Sequence, residues 1–216
     1  MKYVKPINEF WGDVLKRDLL GETREEDKFH SKKELREYLK SEIKRQGKNV
    51  VIQNIDVSLI EDLSDLFVDI ANRVKTLDLS GWNTSNVKNM SYMFYCCARL
   101  ESLNLSGWDT SSAKTMHGMF YHCEGLESLD LSGWDTSNVE NMAWMFSCCR
   151  KIKSIDVSDW DTSNVKNMGY MFYECAKLES LDLSRWDMSN VMNMEDMFTG
   201  CRIPYDEAVK NKLVRK

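Results

Sequence analysis

At 216 residues, with 43% hydrophobic and 29% charged residues, the chain carries enough apolar surface to bury a core of its own and needs neither disulfides nor metal to fold. Its charge is uneven: residues 49–201 hold 22 acidic against 11 basic residues, while both flanks are basic. A repeat surface of that sign repels phosphate, so nucleic acid is not an expected partner. No stretch approaches the roughly 18 apolar residues of a membrane span, and the acidic opening lacks the apolar run of a secretory leader, so neither membrane insertion nor secretion by a leader is expected.

Residues 1–49 read as an N-terminal helical segment. Ser31 followed by Glu34 has the spacing of a capping box, and the helix it opens is expected to run to about Gln46 and end at Gly47. Residues 50–76 form a shorter, degenerate unit in which Ile55-Asp56-Val57-Ser58 echoes a strand and Leu66-Phe67 echoes a Met-Phe pair.

From residue 77 to 201 the chain repeats five times at a period of 26, without insertion. Trp falls at 82, 108, 134, 160 and 186, Phe at 94, 120, 146, 172 and 198, and Cys at 97, 123, 149, 175 and 201. A fixed period of this length marks units that bury their apolar sides only against one another. Within a unit, Leu100, Leu103 and Leu105 alternate inward while Ser102, Asn104 and Ser106 point out, as on a short strand. After the Trp corner, Val87, Met90, Phe94 and Cys97 have the spacing of one helix face, so each repeat is expected to be strand, corner and short helix, with Thr84, Ser85 and Asn86 as N-cap residues. Pro204 opens a last helical stretch, and residues 202–216 are expected to cap that end.

The Trp, Met, Phe and Cys columns are expected to be core, with the indole nitrogens bonded to the polar corner Asp109-Thr110-Ser111 and its equivalents. The cysteines read as free thiols, Cys96 and Cys148 lying outward. His117 and His122 lack a third partner at metal or triad spacing, and there is no phosphate-binding glycine loop, so no enzyme, metal or cofactor is expected. Two outward columns carry acid: Asp78, Asn104, Asp130, Asp156 and Asp182 on the strand, and Asn83, Asp109, Asp135, Asp161 and Asp187 after the Trp. The second is expected to close turns, and the first to be either solvated or a recognition surface.

The unit LDLSGWDTSNVxNMxxMFxxC resembles the 26-residue bacterial surface-protein repeat, related to the BspA-like leucine-rich repeats, across residues 77–201. The resemblance implies an α/β solenoid: a leucine-rich-repeat-like, right-handed stack with one parallel sheet face, short helices on the other and helical caps at both ends. It implies a role in adhesion or host interaction and names no catalytic residue, cofactor or ligand. The opening INEFWGDVLKRDLLGETREED resembles short leaders on proteins of gut bacteria and their phages. Without a leader, lipidation site or anchor in view, a cytoplasmic or particle-associated, monomeric protein is expected, although the resembled repeats usually belong to the cell surface.

The function expected is a non-enzymatic module recognising a protein or glycan, the alternative being a structural or assembly component with the repeats as spacer. Ligand-binding candidates are Tyr92, Tyr95, Tyr121, Trp144, Tyr170 and Tyr173, because Tyr and Trp give large contact area at low entropy cost, and Asp130 and Asp156 in the strand column.

Overall fold

A computed structural model describes residues 28–203. It contains one helix, α1 (Lys32–Gln46), and three short strands, β1 (Asn49–Val51), β2 (Thr76–Asp78) and β3 (Ser102–Asn104), in a parallel sheet of order β1-β2-β3. The expected C-terminal helical cap lies outside the described residues.

Helix α1 starts where Ser31 Oγ accepts from the Glu34 amide at 3.2 Å and stops at Gly47, whose φ of 81° ends the helical path. Leu35, Tyr38 and Leu39 are buried and join the core of the repeats. The other side of α1 performs a second task. Arg36 donates to the carbonyls of Asp65, Leu66 and Val68, and Lys32 Nζ donates to the Ser64 carbonyl at 3.2 Å. These carbonyls belong to the first turn segment, which has no earlier repeat to donate to them.

On the strand side Val50, Leu77 and Leu103 stand opposite one another. The degenerate unit therefore enters the sheet through Asn49–Val51. Its Asp56 pairs instead with Asn83, so Ile55-Asp56-Val57-Ser58 is equivalent to the stretch after Trp82 and not to a strand as its alternation suggests. The pairing continues through Leu79 and Gly81, which donate to Asn104 and Ser106 at 2.9 Å. Among the described residues, Leu105, Gly107, Leu131 and Gly133 have no equivalent bond, and only the Ser154–Ser180 bridge resumes the sheet.

The segments expected to be short helices are runs of turns. The amides of Met93, Tyr95 and Cys97 bond locally to carbonyls three residues back, while those of Met90, Tyr92, Phe94 and Cys96 donate to the next repeat's Thr115, His117, Met119 and Tyr121 at 2.8–3.0 Å. A left-handed residue at every fourth position, Tyr92 (φ 56°) and Cys96 (φ 59°), breaks the helix and frees these amides for the neighbour. The apolar spacing of three and four residues is common to both conformations, so inward side chains stay inward. The same four bonds recur at every junction as far as Glu174–Thr199.

Between the repeats lies one core. Phe94, Phe120, Phe146 and Phe172 are fully buried, and the Phe column from Phe67 to Phe198 stacks ring on ring at 5.0–5.7 Å. Thr84, Thr110, Thr136 and Thr162 are buried too, yet satisfied: each hydroxyl donates to the carbonyl of Asp109, Asp135, Asp161 or Asp187 in the next repeat at 2.8–2.9 Å. They join repeats and do not cap helices. The indole nitrogens of Trp82, Trp108 and Trp186 donate to the carbonyls of Ile52, Leu79 and Val157 in the preceding unit, correcting the expected polar-corner acceptors.

All seven cysteines are free thiols. Cys123, Cys149, Cys175 and Cys201 donate to Phe carbonyls one repeat back at 2.8–3.2 Å, and burial pushes the Cys97 thiol up to about 12. Cys148, expected outward, is buried, whereas its counterpart Cys96 is exposed.

Candidate functional site

The left-handed positions that break the helix also decide what reaches the surface. Tyr92, Trp144 and Tyr170 occupy the first of them in their repeats, with φ of 56°, 61° and 58°, and Tyr95, Tyr121 and Tyr173 lie three residues after it. All six rings are half-buried. They form a continuous strip: Tyr92 meets Tyr95 edge-on at 5.7 Å, Tyr95 stacks on Tyr121 at 5.3 Å, Tyr121 tilts against Trp144 at 5.3 Å, and Trp144 stacks on Tyr170 at 4.3 Å. Tyr173 closes the end, 5.6 Å from Tyr170.

Polar groups fix the strip's rotamers. The Tyr92 hydroxyl is hydrogen-bonded to His117 Nε2 at 2.6 Å, the imidazole tautomer deciding which of the two donates, and burial lowers the His117 pKa below its ordinary value. At the other end a hydrogen bond to the Glu195 carboxylate pushes the Tyr170 hydroxyl up to about 12, keeping it protonated as a donor. His122 sits beside Tyr121 with its Nδ1 3.1 Å from Glu124 Oε1. Sequence reading missed His117, His122 and Glu195 as members of this surface. Their signal was positional, since each falls within one residue of the tyrosine columns when the repeats are aligned.

Asp130 and Asp156 are exposed on the strand side, apart from the strip. Each binds its own backbone: Asp130 accepts from the Ser132 amide at 2.9 Å, and Asp156 accepts from the Ser158 amide at 3.1 Å and hydroxyl at 2.7 Å. Those serines hold both carboxyls below the usual carboxylate range. The strand column is therefore not simply solvated. It closes turns as the corner column does, where Asp109 and Asp161 accept from Ser111 and Ser163 at 3.0 and 2.9 Å. The rings of the strip contact one another, whereas Asp130 and Asp156 bond to their own turns.

Among the described residues no group of three or more His, Cys, Asp or Glu side chains could hold a metal ion, and no helix is long and apolar enough to cross a membrane. Two adjacent stretches, residues 34–129 and 124–211, match one family description, Mycoplasma protein of unknown function, DUF285. The chain belongs to the DUF285 family. No curated protein and no solved structure matches it. The two DUF285 matches overlap at residues 124–129, where the second repeat joins the third, and together take in α1 from residue 34, the degenerate unit and all five repeats.

Proposed function

We propose that the repeats form a BspA-like, leucine-rich-repeat-type solenoid and act as a non-enzymatic binding module, whose ligand is a protein or glycan held on the aromatic strip. The observation that carries this reading is the strip itself: six half-exposed aromatic rings in contact across four repeats, three of them on left-handed backbone that bulky residues ordinarily avoid. Aromatic anchors commonly supply most of the binding energy of an interface, and rings already packed against one another lose little freedom on binding. A protein partner is favoured over a glycan, because stacking of Trp144 on Tyr170 leaves edges and hydroxyls outward more than open ring faces.

The test is retention of cell-surface or host-extract ligand by immobilised protein, comparing Trp144→Ala/Tyr170→Ala with Asp130→Ala/Asp156→Ala, each first shown to be folded. The aromatic pair is expected to lose about 2 kcal/mol or more of affinity and the acidic pair little. Retention by both variants equal to wild type overturns the reading in favour of a spacer in a larger assembly, a role supported by the self-contained packing of the strip.

A further inference from the structure

The cysteine column ends differently from the way it begins. The Cys201 thiol donates to the Phe172 carbonyl at 2.8 Å, and that same oxygen accepts the Cys175 amide at 3.1 Å. The shared acceptor lodges the Cys201 sulfur against the backbone of Cys175. The arrangement is repeated by Cys123 over Cys97, Cys149 over Cys123 and Cys175 over Cys149. Four pairs thus share one geometry, and accessibility separates them. Cys97, Cys123, Cys149 and Cys175 are at most 1% exposed, whereas Cys201, in the last repeat, is half-buried.

Two further properties single out the last pair. Hydrogen bonding between its thiols holds Cys201 below the ordinary thiol value and pushes Cys175 above it, burial adding to the second. A redox-responsive cysteine is accessible, ionises readily and has a second thiol within reach. Cys96 is exposed too, but the units on either side carry Asp69 and His122 at its position, not a thiol. A disulfide also needs its Cβ atoms about 3.8 Å apart, roughly 1 Å less than the spacing of bonded strands. An interior repeat is bonded on both sides and cannot make that approach alone. The fifth has a neighbouring repeat on one side only, to which it is joined through the carbonyls of Asn193, Glu195, Met197 and Thr199.

We propose that Cys175 and Cys201 are a redox-active pair that reduces a hydroperoxide and becomes a reversible disulfide between the fourth and fifth repeats. The Cys201 thiolate attacks one peroxide oxygen, the O–O bond breaks, and the departing alkoxide takes up the proton that Cys201 released. Cys201 is then a sulfenic acid. The Cys175 sulfur displaces its hydroxyl, forming the S–S bond and water. Two thiols have lost two electrons, and the hydroperoxide has become an alcohol and water. Loss of the thiol protons strands neither carbonyl: Phe146 still accepts from the Cys149 amide at 3.0 Å and Phe172 from the Cys175 amide at 3.1 Å. The bond closes a loop of one 26-residue period and fastens the end repeat to the stack. It lies in the core column and does not depend on the aromatic strip's having a ligand.

The experiment treats the reduced full chain with tert-butyl hydroperoxide, alkylates the remaining thiols in denaturant, and maps the products by peptide mass spectrometry. The expected product is a cross-link between the peptides of Cys175 and Cys201, two hydrogens lighter than the separate thiols and reversed by dithiothreitol. Cys97, Cys123 and Cys149 should be recovered alkylated. Cys175→Ser should leave a sulfenic acid at Cys201 that dimedone captures, and Cys201→Ser should leave Cys175 unoxidised. The wild-type map decides the matter even where a variant does not fold. A cross-link joining any other pair, Cys175 and Cys201 recovered as thiols after Cys96 has been oxidised, or Cys201 carried to the sulfinic acid without a cross-link would overturn the proposal.

Discussion

The turn side and the strand side of the repeats are built on one period, yet they behave differently. On the turn side the same four inter-repeat bonds recur from Met90 to Glu174, although the left-handed positions hold Tyr, Gly, Trp, Cys, His and Glu in turn. On the strand side the bonds join β1, β2 and β3 and then lapse, although the leucines there barely change. Continuity does not follow residue identity on the exposed positions. It follows whether each buried group finds its acceptor in a neighbouring repeat, as the Phe amides and Thr hydroxyls do in the next one, whereas Trp160, whose counterparts Trp108 and Trp186 donate to the preceding one, has none.

The most severe way to break the comparison is to remove a ring from the continuous side. Phe120→Ala should cost about 3–5 kcal/mol in chemical denaturation, because Phe120 is fully buried between Phe94 and Phe146. Leu129→Ala on the opened side should cost about 2 kcal/mol, at the low end for such truncations, since its surroundings can close around the gap. Equal losses would mean that the opened strand side is packed as rigidly as the turns.

A hydroxyl sharpens it next. Thr136→Val keeps shape but strands the Asp161 carbonyl, and should cost about 1–3 kcal/mol by the same denaturation measurement. The Trp column then gives a difference experiment. Trp108→Phe forfeits the 2.8 Å bond to Leu79, while Trp160→Phe forfeits none, so the first should be more destabilising by about 1 kcal/mol. Equal melting shifts would show that Trp160 has an acceptor in solution.

The smallest expected effect is in acid. Ser111 and Ser163 hydrogen bonds lower the pKa values of Asp109 and Asp161 in the fold. Their contribution is present above the unfolded carboxyl value of about 3.9 and is lost as pH falls through the lower folded values. Asp109→Asn/Asp161→Asn keeps the turn acceptor, as Asn83 does for the Ser85 amide, and should flatten stability between about pH 4 and 2. An acid limb as steep as that of wild type would place the titration elsewhere.

Much of this was legible in the residues. The columns of Trp, Phe and Cys announced the repeat, and Ser31, Glu34 and Gly47 announced α1 with its ends. The helices read from Val87, Met90, Phe94 and Cys97 were not there, because a run of four-residue turns and an α-helix bury the same positions. The discriminating marks were the glycines at 118 and 200, φ 60° and 82°, each standing where other repeats place Trp, Tyr, Cys or His in the same left-handed conformation. The six aromatic candidates were found from their columns alone, whereas their contact depends on the turn geometry. The change from Gly133 to Asp159 was plain in the alignment of the repeats, whereas the missing acceptor of Trp160 is visible only in the folded chain.

The four bonds that recur at each junction from Met90 to Glu174 run the same way, amide toward the following repeat and carbonyl toward the preceding one. The segments therefore form a column of aligned peptide dipoles, negative at its first member, and that pole is where the cationic side chains Lys32 and Arg36 are placed. Whole repeats inserted behind it lengthen the column without altering this end. A second molecule offering its own amides to the first carbonyls meets α1 already in possession of them, which makes the helix a stop against end-to-end growth in that direction.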